Sequence, residues 1–350
     1  MAPEDMASLQ DIYDDLDPLR KKKKTNYILQ YLWRNLVSNF DVMGPYYTAN
    51  TSLEHKFLIA CTIDAMTKLH IHRFKTKAIV CDGASSNLKM IKSFMGHRGT
   101  FDNAEPISPK FENPLTNAFT YFIICPTHQL KNMIEALYSS RDRGTKRFTK
   151  DGIVFGWRAI FELYEEDLER ARQQLNVHVP GMKLNYVVRD PWTSLNVKPA
   201  KIMQQTACIA ALQVKATQED NPSTRKTVEF LQACNKIVES GFLSNYCVSN
   251  NNHRVLDIIP EGMNFLHEWR EDVVEAFPDI SLSSPKQKPF LAWQTWELMQ
   301  IAHFGLKELC EDFFRVISNV CYLPKPYKWK CCGNSIFTVQ IPDWRKIVCC

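Results

Sequence analysis

Thr76–Phe94 reads TKAIVCDGASSNLKMIKSF, and its parsing decides the fold class. Ala78–Cys81 is a short apolar run of the kind that forms a buried strand. Asp82 stands at the end of that run, Gly83 permits a tight turn, and Ser85, Ser86 and Asn87 open a helix. A carboxylate at the carboxyl end of a strand projects into the crevice where α/β folds carry out chemistry. The same residues also make an Asp-Gly turn in which Asp82 or Ser85 caps the following helix. The stretch alone is compatible with both.

Upstream, Tyr27–Val37 and Phe40–Thr48 are rich in aromatic and β-branched residues and are bounded by breakers, which predicts two neighbouring strands. Leu53, Phe57, Ala60, Cys61, Ala65 and Leu69 recur at helical spacing, so Ser52–Leu69 is expected to be a crossover helix. Downstream, Gly96–Asn117 reads as a loop. Phe119–Ile124 (FTYFII) is a second buried strand, and Thr127 is a candidate cap for a helix over His128–Tyr138. The order β-β-α-β-α-β-α describes an open α/β sheet that lacks something at its start. From Asp151 the pattern becomes helix after helix: Phe155–Leu175, Ala200–Thr217, Thr224–Ser240, Gly262–Phe277 and Phe290–Ile317. Pro191, Pro222, Pro260, Pro278 and Pro289 serve as breakers. The stripe Phe290, Trp293, Ile301 and Phe304 fits core packing better than a binding box.

A length of 350 residues suggests about two domains. Hydrophobic content of 45% supports real cores, and the net charge of +5 is compatible with nucleic acid without implying it. The 12 cysteines are scattered with no CxxC, and the acidic amino terminus carries no secretory signal, so reduced intracellular thiols are expected. No apolar run approaches the roughly 18 residues of a membrane span. The basic cluster Arg20–Lys24 reads either as a nuclear-import or phosphate-contacting patch or as solvated linker.

VCDGASSN, then ICPTHQLKN, then WTSLNVKPAKIMQQ and FLQACNKIVESGFLS within a helical block, in this order, resemble the P-element-type DNA transposases, including the THAP-domain transposases. The resemblance spans Lys24–Tyr322. It implies a ribonuclease-H-like mixed sheet, incomplete here and interrupted by a large helical insertion domain, an α/β plus all-α architecture. The implied divisions are 1–24 as lead-in, 25–150 as the sheet core, 151–317 as the insertion and 318–350 as an irregular tail. In that family an acidic triad holds two Mg²⁺ ions for phosphodiester cleavage and strand transfer on transposon-end DNA in the nucleus. The insertion binds GTP, and an upstream zinc module reads DNA. By position, Asp82 matches the second acid, a catalytic and metal-binding role.

Two departures follow from the same comparison. No strand ending in an acid precedes Tyr27, so the first acid is expected to be absent. The tail YLPKPYKWKCCGNSIFTVQIPDWRKIVCC shows no helical period and no matching Glu. Read one base out of frame from the second base of the Lys328 codon, Lys328–Phe337 permits NGSAVETLFS, the family's third-acid segment; a frame slip or wrong exon join after about Lys325 is the expectation. With one acid of three, the chain alone is expected not to transpose. The alternative is a non-catalytic DNA- or GTP-binding regulator or a multimerisation partner of an intact transposase, and a homo-oligomer is compatible with either.

The resemblance also points to nucleotide-contacting positions. Lys131 and Asn132 follow His128 on one predicted helix, where a helix start with a nearby Lys can hold phosphate; a solvated Lys and an ordinary helix Asn fit equally. Lys201 in PAKIM resembles the family's Lys ahead of its M-x-V-x-L-A helix, which implies a contact to GTP phosphates, and Glu239 in NKIVESGF stands where the family often has Asp, a carboxylate that can accept both guanine N–H groups. Either could equally be surface charge, and there is no GxxxxGK[ST] loop. Cys125-x-x-His128 is half a zinc site, and a structural role at the strand–helix turn fits it better.

Overall fold

The computed structural model describes residues 27–35, 41–49, 53–97, 107–190, 193, 196–244, 254–278, 289–316 and 335–342. The cluster Arg20–Lys24 and Trp192 lie outside them. Two compact units emerge, the first running to Cys125 and resuming at Gln300, the second from Pro126 to Met299. The compositional division near 150 therefore falls inside the second unit.

In the first unit, β1 (Tyr27–Asn35) and β2 (Asp41–Ala49) pair antiparallel. Leu29 and Tyr31 are buried while Ile28 is exposed, the alternation of a strand with one wet face. The register shifts between Gln30 and Leu32, and the Gln30 amide holds the irregularity by donating to Gly44 O at 2.7 Å. A helix, α1 (His55–Ile71), buries Leu58, Cys61, Ala65 and Leu69 and packs against β3 (Phe74–Cys81) and α2 (Ser85–Phe94). Tyr31 Oη lies 2.8 Å from Thr62 Oγ1, which ties β1 to α1.

The strand β3 is parallel to β5 (Ala118–Ile124), and β4 (Lys110–Asn113) closes the edge antiparallel to β5. Ala78, Ile79, Val80 and Cys81 are each at most 1% exposed. Four consecutive buried positions require cover on both faces, which a strand with a parallel neighbour receives from crossover elements. The last helix, α10 (Trp293–Val316), contributes Gln300–Val316 to this unit. It crosses β5 at Gly305, where a Cβ would lie 1.9 Å from Phe122 O. Ion pairs Lys77–Asp312 (3.1 Å) and Lys110–Glu308 (2.7 Å) flank the crossing.

A strand from the tail, β8 (Ser335–Pro342), lies between β1 and β3, parallel to the former and antiparallel to the latter. The sheet order is β2-β1-β8-β3-β5-β4. This corrects the reading of the tail as wholly irregular. The apolar residues Phe337, Val339 and Ile341 in SIFTVQIP alternate with the period of a strand.

The second unit opens with α3 (Pro126–Tyr138), followed by a hairpin of β6 (Phe148–Lys150) and β7 (Ile153–Phe155). Asp151 and Gly152 take positive φ (53° and 72°), the two-residue turn that matches strand twist. The block after Asp151 is therefore not purely helical, and the Asp-Gly pair was the available signal. Then come α4 (Arg158–Arg172), α5 (Leu184–Val187), α6 (Lys198–Met203), α7 (Thr206–Gln218), α8 (Pro222–Ile237) and α9 (Arg254–Ala276). Phe148, Phe155, Phe230, Trp269 and Phe290 form one aromatic cluster, with Trp269 edge-on to Phe148 at 4.9 Å. Trp269 Nε1 donates to Thr149 O at 2.7 Å, so the polar end of the buried ring is satisfied.

Four further expectations are corrected. Gly96–Asn117 is not all loop, because KFEN (110–113) is recruited by β5 despite weak strand propensity. The single helix over 200–217 is two, broken at Gln204. Pro260 lies inside α9 rather than ahead of it. Thr127 is in the first turn of α3, which begins at Pro126.

Candidate functional site

Asp82 is the first residue beyond β3, half-buried, at the end where Cys81 O accepts from Cys125 N at 2.8 Å. Its Oδ1 accepts from the Ala84 N–H at 3.0 Å and from Asn87 Nδ2 at 2.7 Å. Asn87 is 9% exposed, so its amide is a fixed donor. The helix α2 starts after Ala84, which gives no side-chain cap; Asp82 binds the turn instead. Both features read from the sequence are present, the acid at the strand end and the turn-forming carboxylate. The neighbouring Cys81 thiol is pushed well up by burial and then by the Asp82 charge, which makes it an inert core group.

Among the described residues, no group of three or more His, Cys, Asp or Glu side chains is placed to hold a metal ion. Two cations need several converging carboxylates, since a single carboxylate cannot displace enough of their water. Oδ1 of Asp82 accepts both N–H donors, which leaves Oδ2 as the oxygen open to a cation. Cys125 and His128 likewise belong to no such group.

The other four predicted residues lie on three elements of the second unit. Lys131 and Asn132 are half-buried on α3, Lys201 is exposed on α6, and Glu239 is half-buried on a π-turn, Val238–Phe242, that continues α8. The helix α3 packs against both α6 and the π-turn. Lys201 Nζ and Glu239 Oε1 are 3.9 Å apart. The side chains of Lys131 and Asn132 make no hydrogen bond or ion pair with this couple. Elsewhere on α3, Glu135 pairs with Arg189, whose guanidinium lies over Tyr138 and Trp157 at 5.2 and 5.1 Å.

Sequence reasoning missed the groups that frame the Lys201–Glu239 pair. Asn235 Nδ2 donates to Gln204 O at 3.0 Å, and Ser240 Oγ donates to Asn235 Oδ1 at 3.0 Å. Gln204 and Gln129 are 0% and 1% exposed, and neither side-chain amide has a hydrogen-bond partner among the described residues. A repeated Gln (204 and 205) at a helix break was the only local hint.

The chain is similar to the protein of a Drosophila P element transposase strand transfer complex, with a TM-score of 0.61 over 92% of this chain and 76% of that one at 14% identity. It has the fold of that transposase. No protein-family model matches the sequence, and no curated protein matches it. No helix of the described residues is long and apolar enough to cross a membrane.

Proposed function

We propose that this chain is a transposase-derived protein of the P-element type that binds transposon-end DNA and a guanine nucleotide in the nucleus, and that it does not complete strand transfer by itself. The likeness to a P element transposase over 92% of the chain carries the reading. The sheet would be the ribonuclease-H-like core, and the helical unit the nucleotide-binding insertion. Lys201 offers a cation for phosphate and Glu239 a carboxylate for guanine N–H groups, on elements that already bring them within 3.9 Å. Lys131 and Asn132, on the packed helix α3, complete the candidate set. A bound GTP would supply negative charge and a hydrogen-bonding base edge for these side chains to order around.

The incompleteness rests on the sequence: Asp82 would be the second acid of a triad, and no matching first or third acid is read in the chain. A non-catalytic regulator or a multimerisation partner of an intact transposase is the second reading on the same ground. Calorimetry of the purified chain with GTP, and gel-shift titration with terminal inverted-repeat DNA, test the binding reading; no response to either at high micromolar concentration refutes it. Metal-dependent nicking of the same DNA, abolished in Asp82→Ala, would refute the incompleteness.

A further inference from the structure

We infer that Asn235 is a positioning residue, and that its single amide sets the spacing of Lys201 and Glu239 and with it the preference for guanine over adenine. This rests on the nucleotide reading above. The two charged residues belong to different segments: Lys201 to α6, which Gln204 caps, and Glu239 to the π-turn. Asn235, on α8, bonds both. Its Nδ2 holds the Gln204 carbonyl at 3.0 Å, and its Oδ1 takes the Ser240 hydroxyl at 3.0 Å. Ser240 follows Glu239 directly, and Gln204 lies one helical turn beyond Lys201.

The π-turn itself is forced from the other side. A Cβ on Gly241 would stand 2.5 Å from Ile259 Cγ1 and 2.7 Å from Lys236 O, so α9 can seat against the turn only because residue 241 has no side chain. Gly262 repeats the device one turn along α9, where a Cβ would meet Ile237 Cγ1 at 2.7 Å and Ala233 O at 2.8 Å. With α9 pressing on Gly241 and Asn235 bridging to Ser240, the backbone that carries Glu239 is held from both sides. A π-turn inserts one residue into the helical repeat and so turns a side chain to a bearing that a regular helix would not give it.

Guanine presents two adjacent N–H donors and adenine does not, so a carboxylate reads the base only if it is held in place. Loosening the bridge should therefore weaken GTP and leave ATP nearly unchanged. The test is calorimetric titration of the full chain with GTP and with ATP, for wild type, Asn235→Ala, Ser240→Ala and Ser240→Thr, with a thermal melt of each unliganded protein. Asn235→Ala and Ser240→Ala should each lower GTP affinity about fivefold, the factor that one net hydrogen bond carries. ATP affinity should change by less than about twofold, and Ser240→Thr, which keeps the hydroxyl, should restore GTP binding. A purely structural role would lower the melting temperature and move both nucleotides together, or neither, which overturns the inference. If Asn235→Ala does not fold, an unaltered GTP-to-ATP ratio in Ser240→Ala overturns it alone. Wild-type protein that binds neither nucleotide refutes the parent reading, and this one with it.

Discussion

Gly305→Ala should destabilise the sheet unit measurably, although alanine is the better helix former. Gly305 lies within α10, so the substitution asks for no unusual backbone angle. The obstacle is the β5 backbone: the new Cβ would sit 1.9 Å from Phe122 O and 3.1 Å from Phe122 C. Carbon–oxygen contacts of this kind close at about 3.3 Å, so the helix must retreat by roughly 1.4 Å. Such a retreat strips packing along the crossing and lengthens the Lys77–Asp312 and Lys110–Glu308 pairs that flank it. Overpacking of a core costs about 1–3 kcal/mol, and a backbone obstacle in a central layer places this case near about 3. Helix propensity returns about 1 kcal/mol, leaving a loss of roughly 2 kcal/mol. For a unit of this size that is a fall of about 4–8 °C in melting temperature. Differential scanning fluorimetry or calorimetry reads it, with Lys307→Ala, exposed on the same helix, as the control expected to stay within about 0.5 kcal/mol of wild type. A Gly305→Ala protein that melts at or above the wild-type temperature would show that α10 does not press on β5.

Asp167 is 5% exposed and accepts from the His178 N–H (2.6 Å) and the Val179 N–H (2.9 Å), so Asp167→Ala should cost about 1–3 kcal/mol by orphaning two backbone donors; an unchanged urea midpoint would contradict this. For Asp312, burial raises the carboxyl pKa, but hydrogen bonds from Arg315 and Lys77 outweigh it and leave the group below its usual value. Its stabilising contribution is therefore present above the unfolded carboxylate pKa and is lost as pH falls through the lower folded value, so Asp312→Asn should flatten the acid limb of the stability curve below about pH 4; identical acid limbs would exclude the assignment. Asp82→Asn keeps an acceptor for Ala84 and Asn87 and should melt within about 0.5 kcal/mol of wild type, whereas Asp82→Ala should lose about 1 kcal/mol; equal losses would show that the turn does not depend on those bonds.

Local pattern alone determined the elements whose stabilisation is local. Ala78–Cys81 is a run of apolar residues short enough only for a strand, and it is one. Asp82-Gly83 had to turn, and the residues from Ser85 on had to wind, because Leu88, Met90 and Ile91 bury as a helix allows. Elements that exist because a distant partner supplies their hydrogen bonds left little trace. KFEN (110–113) has poor strand propensity and becomes β4 only beside β5, and Ser335–Pro342 becomes β8 only because β1 and β3 offer ladders on both sides. The missing N–H of Pro260 predicts a break, yet packing on α8 through Gly262 keeps the helix running through it. The same division holds for the candidate site. Asp82, Lys201 and Glu239 could be picked from their neighbours in sequence, but Asn235 could not. Its role comes from lying between Gln204 and Ser240, residues 31 before it and 5 after it, and only the folded chain brings those two to one amide.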